Sequence, residues 1–382
     1  MCNISDSDIE NLVKFAKENN IDLTVVGPEV PLVNGIVDEF EKEGLKIFGP
    51  NKECSTFEGS KSFSKDFMIR HNIPTAKYKE YTNLDEAISE IDSFGYPVVI
   101  KADGLAAGKG VVIPENREDA INTLKEMMSD KKFGSAGDKV VIEEFLSGIE
   151  TSILAFVDND TIVPMVSAKD HKKVYNFEKG PNTGGMGTFS PSEIYTDELS
   201  KEISEKVLNR TLQGFKKDNL NYKGVLFIGL MITEDGPKVL EYNVRFGDPE
   251  TQSVLFRLET DLHKIMEAIL DNKLKDIEIN YKKEEAVCVM LTSGGYPEDY
   301  EKGKVITGLE DLDEDIVVFH SGTKMLDGNL VTNGGRVIGI TTSAGSVEEA
   351  AKKVYKNIEK INFEGMHYRT DIGIKFCEEI SF

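Results

Sequence analysis

Three polar side chains in the second half of the chain are suited to holding a metal ion and a phosphoryl group. Glu241, Asn243 and Arg245 follow one another at every second position. If residues 238–244 form a strand, Glu241 and Asn243 project from the same face, because side chains alternate across a strand. Magnesium takes one or two protein oxygens and fills its other positions with water and substrate phosphates, which suits this pair. Arg245 offers a planar fork to a phosphoryl group.

The Gly-Asp-Pro sequence at 247–249 predicts a turn that holds Glu250 near the same face. An edge strand with a solvated polar face is the alternative interpretation, because short acidic strings recur by chance. The assignment therefore depends on the basic and glycine-rich segments that precede it.

The chain as a whole is strongly acidic, with a formal net charge of −22 over 382 residues. Such a field repels nucleic acid, so we expect no nucleic-acid partner. Anionic small molecules need only a local cluster of cations. The candidates for one are Lys61, Lys101, Lys109, Lys172 and Arg245.

Other classes of protein are also disfavoured. No apolar run approaches the roughly 20 residues of a membrane span, and no signal-peptide pattern opens the sequence. We therefore expect a cytoplasmic protein without a membrane partner. The four cysteines are far apart and include no Cys-x-x-Cys pair, which predicts free thiols.

The first segment of the chain predicts a parallel, doubly wound α/β arrangement. Helices are expected at 9–19 and 32–43, and strands at 21–26 and 45–48. Glu29 lies in the turn after the first strand, where open α/β sheets bind ligands, and could accept hydrogen bonds from sugar hydroxyls. Alternatively, it is a favourable anion in the first turn of a Pro-rich helix start.

A basic helix and a lysine-terminated strand follow. Lys61 and Lys65 are four residues apart on one face of a helix that reaches about residue 70, and a solvated basic face is the alternative. The strand at 96–101 ends in Lys101, which is costly to bury unless a charge meets it. The glycine-rich segment 102–110 lets backbone N–H groups wrap a phosphate chain, so we expect a hairpin lid.

The segment 140–150 is an apolar strand that runs into polar residues. Its end can offer a backbone donor and acceptor to an adenine edge, with a carboxylate for the ribose. A plain strand and turn explains the segment equally well. Further on, a strand at 286–291 and a helix at 346–357 predict an α+β domain, in which His320 and His367 are expected to be packed or surface residues.

The order of these features resembles the ATP-grasp superfamily. Within it, three strings closely resemble the phosphoribosylamine–glycine ligase family, and the match extends from residue 22 to residue 373. The strings are Asp-His-Lys-Lys at 170–173, Gly-Pro-Asn-Thr-Gly-Gly-Met-Gly at 180–187 and Asn-Val-Arg-Phe-Gly-Asp-Pro-Glu-Thr-Gln at 243–252.

The resemblance implies an α/β fold with an α+β part and three domains. These are a truncated Rossmann-like N-terminal domain at 1–58, an ATP-grasp domain at 59–282 and a small α+β domain at 283–382. The ATP-grasp domain would include a lid subdomain at about 77–150. The absence of a carboxylate from 224–231 suits the glycinamide ligase pattern rather than other ATP-grasp enzymes.

The implied activity joins glycine to 5-phosphoribosylamine at the expense of ATP, through glycyl phosphate, in purine biosynthesis. ATP and Mg²⁺ or Mn²⁺ are the implied cofactors, and a monomer is expected. The resemblance assigns metal binding to Glu241 and Asn243, and catalysis to Arg245, Lys101 and Lys172. Nucleotide binding is assigned to Lys61, Lys101, Gly108, Lys109, Gly110, Glu143, Glu144, Leu146 and Glu150. Substrate binding is assigned to Glu29, Asp170, Asn182, Gly184, Gly185, Met186, Gly187, Asp248 and Glu250.

Family members begin with a further strand and a Gly-Ser-Gly-Gly-Arg-Glu-His loop that holds part of the ribosylamine phosphate site, and the sequence given starts after that loop. We therefore expect ATP binding to be near normal and ligation to be poor. Two other functions remain open at this point: another ATP-grasp carboxylate–amine ligase, and an ATP-binding module without catalysis.

Overall fold

The structure is a computed structural model that describes residues 4–106 and 110–374. Its contacts divide the chain into two compact units. The first comprises residues 1–164, 196–246 and 263–277, and the second comprises residues 165–195, 247–262 and 278–382. The three-domain division expected from the sequence stays a prediction.

The helices, numbered along the chain, are α1 (Ile9–Glu18), α2 (Glu29–Asn34), α3 (Ile36–Lys42), α4 (Lys52–Gly59), α5 (Lys61–Arg70), α6 (Leu84–Glu90), α7 (Arg117–Met128), α8 (Asp197–Ile203), α9 (Asn209–Lys217), α10 (Glu250–Val254), α11 (Leu262–Leu270) and α12 (Val347–Ile358). Within the described ranges, none of the helices is long and apolar enough to cross a membrane.

The strands are β1 (Thr24–Val25), β2 (Ile47–Phe48), β3 (Tyr78–Tyr81), β4 (Val98–Ala102), β5 (Val111–Val112), β6 (Val140–Glu144), β7 (Ile149–Val157), β8 (Ile162–Pro164), β9 (Lys169–Asp170), β10 (Lys173–Tyr175), β11 (Lys179–Asn182), β12 (Gly187–Ser190), β13 (Gly224–Thr233), β14 (Gly236–Asn243), β15 (Glu285–Thr292), β16 (Val317–His320), β17 (Thr323–Leu326), β18 (Asn329–Thr332) and β19 (Arg336–Ala344).

The N-terminal segment has the predicted parallel pairing, because β1 and β2 lie side by side in the same direction. The single helix expected at 32–43 is instead two helices, α2 and α3. Gly35 separates them, since its φ of +91° places it in the left-handed region that ends a helix. The strand expected at 21–26 is reduced to the two residues of β1.

Two four-stranded sheets carry four of the residues assigned to nucleotide binding and both predicted metal ligands. One has the order β3-β6-β4-β5, and the other has the order β14-β13-β7-β8. In the first sheet, Lys101 of β4 pairs with Val141 of β6. The apolar side chains of β4 and β6 pack with α7 in a core that includes Val98, Ile100 and Leu124.

The strand β14 contains a bulge just before the predicted metal ligands. Gly229 of β13 pairs with Glu241, whereas the next residue of β13 pairs with Val239, so Leu240 is the extra residue. Beyond the bulge, Tyr242 is buried on one side while Glu241 and Asn243 are half-buried on the other. The predicted shared face of Glu241 and Asn243 is therefore confirmed.

The second unit contains a five-stranded antiparallel sheet in the order β16-β19-β15-β12-β9. Helix α12 packs on β15 and β19, and its N-cap Ser346 accepts a hydrogen bond from the Glu349 N–H. The predicted strand at 286–291 and helix at 346–357 are confirmed as β15 and α12. Cys288 is a buried free thiol in this sheet, as Cys54 is in the first unit.

Candidate functional site

Two lysines of the first unit meet one buried carboxylate. Glu143 of β6 lies 2.8 Å from the Lys65 ammonium and 2.9 Å from the Lys101 ammonium, and all three side chains are at most 7% exposed. Burial acts to raise the pKa of Glu143, but Lys101 and Lys65 together hold it below its ordinary value. The solvated basic face considered for Lys65 is therefore wrong, because that lysine is enclosed and charge-paired.

A third lysine lies close to this pair. The Lys61 ammonium donates to the Gly104 carbonyl at 3.1 Å. Burial lowers the pKa of Lys61, Glu241 opposes this effect, and Lys101 adds to it. Burial also lowers the pKa of Lys65 to about 8, and Lys101 again adds to the shift while Glu143 opposes it. Lys101 thus repels both other lysines, and a bound polyphosphate would relieve that repulsion.

The start of α5 fixes Lys61 beside the glycine-rich segment. Ser60 is the N-cap residue, and its hydroxyl oxygen accepts from the Phe63 N–H at 3.2 Å. The Asp103 carboxylate accepts from the Ser60 hydroxyl at 3.1 Å and from the Ser62 N–H at 2.6 Å. Asp103 follows β4 directly, so its hydrogen bonds connect the end of the strand that carries Lys101 to the start of the helix that carries Lys61.

The glycine-rich segment is described only in part. Gly108 and Lys109, both assigned to nucleotide binding, lie outside the described residues. Gly110 is buried, and its carbonyl accepts from the Ala102 N–H at 2.8 Å, which closes the connection between β4 and β5. The lid stays a prediction.

The end of β6 carries the predicted adenine contacts. The Glu143 carboxylate is paired with two lysines, and its assignment to nucleotide binding stays a prediction. The Glu144 N–H donates to the Lys77 carbonyl at 3.0 Å, so that donor is used within the sheet. Leu146 is buried and Glu150 is exposed at the start of β7. Their roles stay predictions.

Glu241 and Asn243 are suited to a sparsely ligated cation. In the described part of the chain, no group of three or more His, Cys, Asp or Glu side chains is placed to hold a metal ion. A hard cation that takes most of its ligands from phosphates and water needs no such group. Gly229 lies opposite Glu241 on β13. The absence of a side chain at Gly229 leaves room for the Glu241 side chain, because an added Cβ would lie only 3.3 Å from the Glu241 Cγ.

Arg245 lies between two carboxylates of the first unit. Its guanidinium is 3.1 Å from Glu58 and 3.6 Å from Glu29. Glu29 is also the first residue of α2, so the helix-start interpretation is confirmed. Glu58 accepts from the Val244 N–H at 2.8 Å, and burial raises its pKa to about 7. Glu58 is missing from the sequence-based assignment, although it stands three residues before Lys61.

In the second unit, an arginine and a tyrosine hold the glycine loop that follows β11. The Arg336 guanidinium donates to the Gly184 carbonyl at 2.8 Å and to the Asp248 carboxylate at 2.6 Å. The Tyr296 hydroxyl oxygen accepts from the Gly184 N–H at 2.9 Å. Sequence reasoning missed both residues, because each contact joins positions more than 80 residues apart.

The same loop approaches Asp170. The Lys172 ammonium is 3.1 Å from the Asp170 carboxylate, which also accepts from the His171 N–H at 2.7 Å. Gly185 has φ +115°, and a Cβ there would lie 2.8 Å from Asp170 Oδ1 and 2.3 Å from Pro249 Cδ. Only glycine allows this approach.

Three residues of the second unit that were assigned to substrate binding are buried. Met186 is fully buried in the apolar core of the unit, and its backbone joins the loop to β15 through the Met290 N–H. Gly187 pairs with Val289 at the start of β12, where a Cβ would meet the Cys288 carbonyl at 2.5 Å. Glu250 is 2% exposed at the start of α10. The assignment of these three residues to substrate binding stays a prediction.

One substrate assignment and the two histidines of the second unit remain to be placed. Asn182 is exposed at the end of β11, where it pairs with Lys173. His320 is exposed and lies 3.1 Å from the Thr323 hydroxyl, and His367 lies 2.9 Å from the Val174 carbonyl. The expectation that these histidines are surface or packed residues is confirmed.

Comparison with solved structures identifies the fold as that of ATP-grasp enzymes. The biotin carboxylase domain of the 2-oxoglutarate carboxylase from Hydrogenobacter thermophilus, solved with MgADP and bicarbonate, has a TM-score of 0.73 at 16% identity over 96% of this chain and 80% of that one. The phosphoribosylamine–glycine ligase from Thermotoga maritima has a TM-score of 0.79 at 38% identity over 88% of this chain and 84% of that one.

The family models narrow this class further. The phosphoribosylglycinamide synthetase N domain matches residues 1–58, the ATP-grasp (A) domain matches residues 59–251, and the C domain matches residues 286–375. The chain is 48% identical over 376 residues to the phosphoribosylamine–glycine ligase of Halalkalibacterium halodurans, covering 98% of this chain and 87% of that protein. It is 50% identical over 371 residues to that of Caldanaerobacter subterraneus, covering 97% and 89%. The chain belongs to the phosphoribosylglycinamide synthetase family.

Proposed function

We propose that this chain is an ATP-dependent ligase that joins glycine to 5-phosphoribosylamine and releases glycinamide ribonucleotide, ADP and phosphate in purine biosynthesis. The observation that carries the proposal is the family match over 98% of the chain. Lys65 and Lys101, which are buried around Glu143, and the nearby Lys61 add support, because they provide concentrated positive charge for a polyphosphate.

The reaction needs activation of a poor acyl donor. A glycine carboxylate oxygen attacks the γ-phosphorus of ATP, and ADP leaves with the bond electrons. The amine nitrogen of phosphoribosylamine then attacks the carbonyl carbon of glycyl phosphate, inorganic phosphate leaves, and the new amide nitrogen loses a proton. The protein positions the reactants and offsets charge, and no protein nucleophile takes part.

The chain's own residues divide these tasks by charge and position. Lys61 and Lys101 bind ATP phosphates. Arg245 offsets the negative charge that develops on the transferred phosphoryl group. Asp170 and Lys172, joined at 3.1 Å, present a carboxylate and an ammonium to the acceptor side. Gly185, where an added Cβ would lie 2.8 Å from Asp170 Oδ1, lets the glycine loop approach this carboxylate.

Glu241 and Asn243 would hold Mg²⁺, with Mn²⁺ as a second possible occupant, since both are hard cations that accept carboxylate and carbonyl oxygens. When bound there, the ion would offset the negative charge of the ATP phosphates. We further propose that the protein acts as a cytoplasmic monomer on small-molecule substrates.

A steady-state assay tests the proposal. ADP release is measured with ATP, Mg²⁺, glycine and freshly prepared phosphoribosylamine, and each substrate is omitted in turn. We expect turnover only with all of them present, and a product with the mass of glycinamide ribonucleotide. Turnover with another amine in place of phosphoribosylamine would identify a different carboxylate–amine ligase. ATP binding without ADP release would identify a non-catalytic module.

A further inference from the structure

A buried hydrogen-bonded chain runs from α5 to the strand with the predicted metal ligands. The Lys65 ammonium donates to the Thr75 hydroxyl oxygen at 2.7 Å, and the Thr75 hydroxyl donates to the Val239 carbonyl at 2.6 Å. The segment before Thr75 also pairs with β14, since the Val239 N–H donates to the Pro74 carbonyl at 2.7 Å. Lys65 therefore acts on the backbone two residues before Glu241.

The second branch of the network reaches the next residue of the same strand. Lys65 is 2.8 Å from Glu143, whose other carboxylate oxygen is 2.9 Å from the Lys101 ammonium. Lys101 in turn donates to the Leu240 carbonyl at 3.2 Å. Leu240 is the extra residue of the bulge, so it has no partner residue on β13. The carbonyls of the two residues before Glu241 are thus held by Thr75, which accepts from Lys65, and by Lys101.

The charges explain why a lysine occupies the buried position of Lys65. An apolar side chain would avoid the cost of burying an ammonium, so stability alone does not account for this one. With Lys65 present, Glu143 divides its charge between two ammonium groups. Without Lys65, Glu143 and Lys101 would form a closed one-to-one pair, and Lys101 would have to break it to meet a phosphate.

We propose that Lys65 is a positioning residue for nucleotide binding, which shares the Glu143 carboxylate with Lys101 and, through Thr75, fixes the bulge that aims Glu241 and Asn243. Lys65 itself does not touch the nucleotide. The inference rests on the ATP site of the proposed function, but it does not depend on which amine the enzyme uses.

Direct binding of a nonhydrolysable ATP analogue with Mg²⁺, measured by calorimetry on the full chain, tests this role. We expect Lys65→Met to raise the Kd by about tenfold or more, since Glu143 then holds Lys101 alone. Adding Glu143→Gln to Lys65→Met removes the competing carboxylate. We expect the double variant to recover most of the lost affinity.

The hydroxyl of Thr75 provides a second, milder pair of variants. Thr75→Val keeps the shape but removes both hydrogen bonds, so we expect the Kd to rise by about three- to tenfold. Thr75→Ser retains the hydroxyl and is the matched control, with an expected Kd close to that of the wild type. If Lys65→Met does not fold, this pair decides the question.

A purely structural role would lower the melting temperature of these variants and leave the Kd of the folded protein unchanged. That result overturns the proposal, as does a double variant that binds no better than Lys65→Met, or equal affinity in Thr75→Val and Thr75→Ser. Because analogue binding is read without turnover, failure of the ligase assay would leave this test intact. Loss of analogue binding by the wild type would instead remove both proposals.

Discussion

Buried charge is the main feature of the site at the scale of single residues. Lys65 and Glu143 are each 2% exposed, yet both carry partners that account for their charges. Helical spacing brings Lys61 and Lys65 to one face, but spacing does not reveal whether that face is covered by protein or water. The sequence therefore predicted Lys61 and Lys101 as members of a cation cluster, but it did not predict Lys65, and it assigned Glu143 to the nucleotide rather than to the lysines.

Glu241→Gln tests the metal assignment. Glutamine keeps the volume of the side chain but loses the full negative charge assigned to the cation, so we expect turnover to fall by at least about 100-fold. The melting temperature without nucleotide should change little, because Glu241 is only partly buried. Asp235→Asn, at an exposed position of the β13–β14 turn, is the matched control. A near wild-type rate for Glu241→Gln at limiting Mg²⁺ would show that the assignment is wrong.

Gly185→Ala tests the acceptor loop. The added methyl group would overlap Pro249 and approach Asp170, so we expect ligation to fall by about tenfold or more while affinity for ATP stays unchanged. Gly303→Ala is the control, because Gly303 also has a positive φ but has no atom within 4 Å of an added Cβ. Equal losses of activity in the two variants would mean that backbone strain, rather than the contact with Asp170, causes the effect.

Glu58 gives the protein a pH-dependent stability. Its pKa is raised by burial from 4.5 to about 7, so the folded chain binds this proton more tightly than the unfolded chain does. The stabilising contribution is complete below pH 4.5 and is lost as the pH rises through about 7. Relative to wild type, Glu58→Gln should therefore gain stability between pH 5 and 8 by about 1–3 kcal/mol. Denaturant melts that show a pH-independent difference would contradict this.

At the scale of elements, the alternation of side chains was enough to predict β14 and the shared face of Glu241 and Asn243. It was not enough to predict the bulge at Leu240, because register depends on pairing with β13. The break at Gly35 divides a continuous apolar pattern, and only the left-handed backbone of that residue reveals it. Arg336 reaches Gly184 across 152 positions, a contact that local patterns do not contain.

Two N-cap serines allow the role of α5 to be separated from general stability. Ser60 caps α5 in the first unit, and Ser346 caps α12 in the second. Replacing either by alanine should cost about 1 kcal/mol of stability. We expect only Ser60→Ala to weaken binding of the ATP analogue, since it also loses the hydrogen bond to Asp103 beside Lys61. Equal nucleotide affinity in both variants would exclude a role for the cap in the ATP site.

At the scale of the whole molecule, the residues assigned to ATP and those assigned to the acceptor belong largely to different units. Lys61, Lys101, Glu241 and Arg245, which we assign to ATP and its cation, belong to the first unit, and the residues assigned to the acceptor side belong largely to the second. The net charge of −22 is that of the whole chain. It does not prevent anion binding at one place, because several lysines of the first unit lie close together. The three sequence strings were enough to predict the family, and the fold and the family match confirm it.

The central claim is that glycine is activated as an acyl phosphate, and an oxygen-isotope measurement tests it most directly. The enzyme is given glycine with ¹⁸O in both carboxylate oxygens, together with ATP, Mg²⁺ and phosphoribosylamine, and the released phosphate is analysed by mass spectrometry. We predict one ¹⁸O atom in each phosphate, because the carboxylate oxygen that attacks phosphorus leaves with it when the amine displaces phosphate. Product formation accompanied by unlabelled phosphate would contradict the account.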